Sequence, residues 1–293
     1  MRASIALALA ASTLLVAGPV TAMSAHSDHG RAAKAKLTCF AGVVGADPKG
    51  RVRYDTIKNG KVTDSVRSKA KLGFPVTAWG YFDVTGTKSG GSVLRLDAVA
   101  KNGVPRQISI TQDKKGKITA LGSTAFDQKS FKPDLFAEGD GFYAYTIDNG
   151  VLKQWVTTRL RNGKLKYTKP VKIDNGYDAV TSLQMTYIYK DKGVDKEVAY
   201  ATTSDGALLQ LEIPQKKPQK TKSKVLADTG YAGVTELVSS FCNEDFTYIW
   251  LAAIDPVADV ATWTTIKDVV GKPKATLQGE ITGGKGWDLT ATF

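Results

Sequence analysis

The stretch Ile281-Thr-Gly-Gly-Lys-Gly286-Trp287-Asp288-Leu-Thr-Ala-Thr-Phe293 places a glycine and a large aromatic at the mouth of an apolar run. Four earlier stretches repeat the arrangement. They are Gly73-Phe74 before PVTAWGYF, a degenerate Ala125-Phe126 before DQKSFKPDLF, Gly176-Tyr177 before DAVTSLQMTYIY, and Gly230-Tyr231 before AGVTELVSSF. The aromatics fall at 74, 126, 177, 231 and 287, in steps of 52, 51, 54 and 56 residues. A period this steady over five copies marks a repeat architecture.

Between these landmarks the signals are those of strands: Val-, Thr- and Tyr-rich alternation bounded by turn dipeptides. Asn-Gly at 59–60, 102–103, 149–150, 162–163 and 175–176, and Asp-Gly at 205–206, are the residues that type I′ hairpin turns require. Each period reads as an apolar strand after the landmark, then a hairpin such as Phe142–Trp155 or Val198–Leu211, then a last strand such as Lys169–Ile173 or Ser223–Leu226. A short amphipathic helix over Asp255–Val270 competes at one place, but its threonines and valines favour strand. Four strands in each of five repeats predict an all-β fold, a five-bladed β-propeller with four antiparallel strands per blade. Leu37–Val44 reads as a second strand without a first. The ring is therefore expected to close by pairing the C-terminal strand with the N-terminal blade, which removes the open sheet edges.

Arg2, an uncharged apolar run from Ile5 to Val16, and the small residues Val20-Thr21-Ala22 read as a signal peptide over 1–22. A polar stretch over 23–36 reads as a disordered tail, and 37–293 as a single propeller domain. The expectation is a secreted monomer with no transmembrane segment in the mature chain. In such a protein two cysteines, Cys39 and Cys242, suggest one disulfide across the seam of the ring. Two separate buried thiols are the alternative.

The chemistry is sparse. Both histidines, His26 and His29, lie in the tail, which excludes histidine-assisted nucleophilic catalysis and, with two cysteines, a Cys/His zinc site. Gly283-Gly-Lys-Gly286 leads into a strand with no Lys-Ser/Thr pair, so it is not a phosphate loop. No metal and no cofactor are expected. A glycosidase needs paired carboxylates, and Glu236 is the one acid that reads as mid-strand beside the channel. The net charge of +12 invites an anionic cell-surface polymer rather than nucleic acid, yet lysine is spread along the chain and dense only over Lys216–Lys224. A solvated lysine surface is the plainer reading of it. The landmark rings fit packing between blades. Next to an Asp they also fit a sugar platform, with the ring stacking and the carboxylate accepting from hydroxyls. The pairs are Tyr177–Asp178, Trp287–Asp288 and Phe126–Asp127.

These stretches resemble the tachylectin-2 family of five-bladed propeller lectins. Its repeats end in Ile-Gly-x-Gly-Trp, matched best by Ile281–Asp288, and pass to a hairpin matched by Phe142–Tyr145 with Gly150–Leu152 and by Val198–Tyr200 with Gly206–Leu208. The resemblance implies the propeller fold and non-enzymatic binding of N-acetylated sugars near the landmarks. The repeats depart from the pattern at Phe74, Ala125-Phe126, Tyr177 and Tyr231.

Overall fold

Stretches such as Tyr248–Asp255 (YIWLAAID) are apolar without a break, as a strand covered on both faces must be, and Tyr248 and Asp255 are its least enclosed residues. Stretches such as Lys61–Lys71 (KVTDSVRSKAK) are polar and mostly exposed, as a sheet edge must be. Alternating these strand types around a ring gives the fold. In the computed structural model the described residues are 37–128, 131–139, 142–242, 248–284, 286–287 and 289. The expected signal peptide, the tail with His26 and His29, Asp288 and most of the closing strand 288–293 lie outside them.

The chain is a five-bladed β-propeller. Blade I holds β1 (Phe40–Ala46), β2 (Arg51–Lys58) and β3 (Lys61–Lys71). Blade II holds β4 (Val76–Gly86), β5 (Ser92–Ala100), β6 (Pro105–Gln112) and β7 (Ile118–Ala125). Blade III holds β8 (Leu135–Glu138), β9 (Tyr143–Asp148), β10 (Val151–Arg159) and β11 (Leu165–Asp174). Blade IV holds β12 (Val180–Asp191), β13 (Val194–Thr203), β14 (Leu208–Pro214) and β15 (Lys222–Ala227). Blade V holds β16 (Glu236–Cys242), β17 (Tyr248–Asp255), β18 (Val260–Lys267) and β19 (Lys274–Glu280). Every neighbouring pair is antiparallel and consecutive in sequence. Asp255–Val270 holds the β17–β18 hairpin and no helix.

Blade I shows three strands among the described residues. Trp287 and Leu289 are buried in one cluster with Cys39, Ala41, Val43 and Ile57. The incoming chain is docked by two backbone bonds, Val62 N–H to Thr282 O (2.8 Å) and Thr282 N–H to Gly60 O (2.9 Å). Cys39 and Cys242 form a disulfide between the start of β1 and the end of β16.

The core is not central. It is divided into five buried clusters, each in the seam between two adjacent blades, and each contains one landmark aromatic. Trp287 lies in the V/I seam, Phe74 in I/II, Phe126 in II/III, Tyr177 in III/IV and Tyr231 in IV/V. The landmark segments are held by the turn between the second and third strands of the blade they leave. Leu72 N–H bonds Gly50 O (3.0 Å), Phe126 N–H bonds Pro105 O (2.9 Å), Tyr177 N–H bonds Gly150 O (3.1 Å) and Tyr231 N–H bonds Gly206 O (3.0 Å). Trp287 N–H donates to the Asp259 carboxylate of blade V.

The turns depart from the sequence expectation. Only Asn59-Gly60 and Asn149-Gly150, among the six dipeptides, have positive φ at both residues, as a type I′ turn needs. At Gly103, Gly163 and Gly206 only the glycine is left-handed, in loops one residue longer, closed by bonds such as Gly103 N–H to Ala100 O and Ala100 N–H to Val104 O. These are type I turns followed by a left-handed bulge residue. Asn175-Gly176 is not in a hairpin at all. It precedes Tyr177 on the connection between blades III and IV.

Candidate functional site

The innermost strands surround a narrow central channel. Thr77 and Gly80 of the blade II segment, Asp134 and Glu138 of blade III, Gln184 of blade IV, and Thr235 and Glu236 of blade V line a cavity of about 40 Å³. This space is far below the several hundred Å³ of small-molecule sites. Glu236 is on the channel, though it opens β16 rather than sitting mid-strand as expected. Glu138 is there too, and the sequence reading missed it.

Glu138 belongs more to the II/III seam than to the channel. It is buried, its carboxylate accepts from Thr157 Oγ1 (3.4 Å), and it shares a hydrogen bond with Asp97. Asp97 is also held by Gln107 Nε2 (3.4 Å) and by the hydroxyl of Tyr167 (3.3 Å). Burial pushes the Asp97 carboxyl up to about 6, against the pull of those hydrogen bonds and of Arg159. Burial, then the negative charges of Glu138 and Asp97, raise the Tyr167 phenol well above its ordinary value. The III/IV seam has a similar group, in which the Tyr145 hydroxyl donates to Glu197 and accepts from Gln154 Nε2 (2.8 Å). These acids tie blades together.

The Asp97 group makes stability depend on pH. Its folded value lies above the unfolded value, so the folded chain keeps a proton that the unfolded chain has lost between about pH 4 and 6. Stability therefore falls as pH rises through that window and levels off above it. Asp97→Asn is expected to raise Tm at pH 8 by several degrees, for about 1–2 kcal/mol, and to leave it unchanged near pH 4. Equal Tm differences at both pH values in calorimetry would rule this out.

The three ring–carboxylate pairs differ once placed. Phe126 is 5% exposed and packs on Tyr167 with ring centroids 5.1 Å apart. Trp287 is 4% exposed, with the Arg53 guanidinium 5.4 Å from its ring centre. A sugar could stack on either ring only if the seam opened, because a face already covered by neighbours has no room for a ligand. Asp127 is exposed, and Asp288 lies outside the described residues.

At Tyr177–Asp178 the ring is half-buried and the carboxylate exposed. Asp178 lies over the turn glycine Gly150 so closely that a Cβ there would sit 2.2 Å from its Oδ1. The same turn reaches the channel mouth, because Asn149 N–H bonds Asp134 Oδ2 (2.8 Å). Asn149 Nδ2 bonds Asp148 Oδ1 (3.0 Å), and Lys153 Nζ pairs with Asp148 at 3.0 Å. Burial, and next the charge of Asp174, raise the Tyr177 phenol, which stays protonated as a donor at neutral pH. The result is a polar shelf at the channel mouth: one half-open ring, acidic acceptors at Asp134, Asp148 and Asp178, and donors from Asn149, Lys153 and Tyr177. Of these, the sequence reading had only Tyr177 and Asp178. The Asn149-Gly150 dipeptide was a visible signal, but nothing in it showed that its turn would meet the next landmark.

Among the described residues no group of three or more His, Cys, Asp or Glu side chains could hold a metal ion, and no helix is long and apolar enough to cross a membrane.

No protein-family model matches the chain, and no curated protein matches it. Solved structures with similar folds include the SapL1 lectin in complex with alpha methyl fucoside, at 11% identity over 83% of this chain and 82% of that one, TM-score 0.39. A mutant of AofleA from Arthrobotrys oligospora is 11% identical over 85% and 87%, TM-score 0.45. The periplasmic gluconolactonase PpgL of Pseudomonas aeruginosa is 7% identical over 84% and 97%, TM-score 0.37. The likeness is one of overall fold.

Proposed function

We propose that the protein is a secreted, non-enzymatic, carbohydrate-binding propeller that acts as a monomer and holds a neutral, N-acetylated sugar at the Tyr177–Asp178 shelf. The observation that carries the reading is the pairing of a half-buried aromatic side chain with an exposed carboxylate beside it. A pyranose presents an apolar face that a ring can cover and hydroxyls that donate to carboxylates, so both halves of the pair have a use. Asp134, Asp148 and Asn149 extend the polar rim toward the channel mouth. At Phe126–Asp127 the ring is enclosed and only the carboxylate faces solvent, and the pair Trp287–Asp288 has its ring enclosed as well. The non-enzymatic part is supported by the narrow channel and by the engagement of Glu138 in the II/III seam. The secreted part is supported by the disulfide and the N-terminal sequence.

The test is a glycan array at about 0.1 M and 1 M salt, between which screening shortens from about 10 Å to 3 Å. Binding to neutral N-acetylated sugars should survive the higher salt. Tyr177→Ala and Asp178→Asn should each weaken it about tenfold or more, the equivalent of about 1.4 kcal/mol, with Tm unchanged for Asp178→Asn. No neutral-sugar binding, or binding indifferent to both substitutions, would sink the reading.

A further inference from the structure

The positive charge of the outer rim is greatest on blades III and IV; the equivalent segment of blade I, 59–71, sets Lys61, Arg67, Lys69 and Lys71 against Asp64, and that of blade II, 113–125, sets Lys114, Lys115 and Lys117 against Asp113. In each blade the fourth strand is the sheet edge, and the turn before it is equally open. In blade V this segment, 268–280, sets Lys272 and Lys274 against Asp268 and Glu280 and is neutral. In blade III, residues 160–174 carry Arg161, Lys164, Lys166, Lys169 and Lys172 against Asp174 alone. In blade IV, residues 215–227 carry Lys216, Lys217, Lys220, Lys222 and Lys224 with no acid. All of these basic residues except Lys166 are exposed. None is ion-paired with a carboxylate among the described residues. The two rims are continuous, because a 3₁₀ turn at Pro218–Lys220 leaves blade IV, packs against β11 of blade III and buries Pro218.

Lysine on an edge strand commonly serves to stop edge-to-edge pairing. That need does not account for this patch. Blade V manages its edge with two lysines and balancing acids. β11 is already blunted by Pro170 and by a bulge at which Lys169 takes φ 54. The surplus of like charges repels itself, a cost that a bound polyanion would reverse.

We propose that the joined outer rims of blades III and IV bind a linear polymer of phosphate or sulfate groups. The chemistry of the surface narrows the partner. The patch offers fixed positive charge along two neighbouring edges and no exposed aromatic ring among the residues 160–174 and 215–227. Charge on the polymer backbone is what it can read, while nucleobase stacking, which single-strand binders rely on, has no platform there. The site is on the outer circumference and does not rest on the sugar reading at Tyr177.

The test measures affinity of the full chain for heparin and for long-chain inorganic polyphosphate between about 0.05 and 0.2 M salt. One variant carries Lys216→Gln, Lys217→Gln, Lys220→Gln and Lys222→Gln. A charge-matched control carries Lys69→Gln, Lys71→Gln, Lys114→Gln and Lys115→Gln on blades I and II, all exposed. The rim variant should lose about tenfold or more at low salt and show a shallower dependence of log K on log salt, by up to about one per contact removed. The control should lose no more than about threefold. Tighter binding of one polymer assigns the anion, and comparable binding of both supports recognition by charge alone. Equal losses in the two variants, or no binding of either polymer at low salt, would overturn the proposal.

Discussion

Removing the Cys39–Cys242 disulfide, as Cys39→Ala with Cys242→Ala, is expected to lower the unfolding free energy by up to about 5 kcal/mol. The two cysteines are 203 residues apart, so the cross-link closes almost the whole ring in the unfolded chain. On the chain-entropy model a loop of that length is worth about 5 kcal/mol, more than the typical bridge. Its position adds to the effect. Both cysteines are buried in the V/I seam, and there the disulfide supplements the one other covalent crossing, the chain that runs from β19 past Trp287. Thermal and denaturant unfolding of the variant should match those of the native chain in strong reductant. A loss below about 1 kcal/mol would mean that the seam is held by packing and that the bridge is redundant.

Asp55→Asn is expected to cost about 3–5 kcal/mol, the range for removing one partner of a buried ion pair. Arg53 and Asp55 are neighbours on β2, 2% and 1% exposed, with Arg53 Nη2 2.6 Å from Asp55 Oδ2. Ser65 Oγ donates to the other oxygen at 2.6 Å. Arg53 reaches across the V/I seam, donating to the Gly286 carbonyl and lying over the Trp287 ring. Without the carboxylate its charge stays buried beside a ring and a carbonyl, which cannot replace an anion. Arg53→Leu with Asp55→Leu removes both charges and should recover most of the loss, because an apolar pair of similar volume does not need solvating. A double-mutant cycle in denaturant measures this. If the double change costs as much as the sum of the singles, the pair is not coupled as described.

Blade number, strand order and the seam position of the disulfide were legible in the sequence because each has a one-dimensional trace. Second strands such as β17 are covered on both faces and so read as apolar runs, and landmarks recur wherever the chain steps between blades. The site was less legible. Burial of Phe126 and Trp287, against the half-open ring of Tyr177, depends on what the neighbouring blade offers: Phe131, Tyr167 and Phe136 around Phe126, Arg53 over Trp287. Glu138 was hidden for a related reason. In blade II the first strand starts two residues after its landmark, at Val76 after Phe74. In blade III eight residues intervene between Phe126 and β8, and one of them, Phe131, fills the seam within 5.7 Å of Phe136, Trp155 and Tyr167. The turn types were misread because a dipeptide does not reveal loop length, and one added residue converts a type I′ turn into a type I turn with a bulge.

The division of the core into five seams has a consequence for how the repeats can diverge. A single central core would bind all five copies to one shape, since each side chain would touch several repeats at once. Here each landmark answers to two blades only. Where the landmark is tyrosine or phenylalanine rather than tryptophan the fit is made locally, by Arg106 over Phe74 in one seam, by Thr264 hydrogen-bonded to Tyr231 in another, by added aromatic rings in a third. The five copies are thus free to drift apart in composition while the ring persists, and a half-buried ring such as Tyr177 can be specialised without re-tailoring the other four.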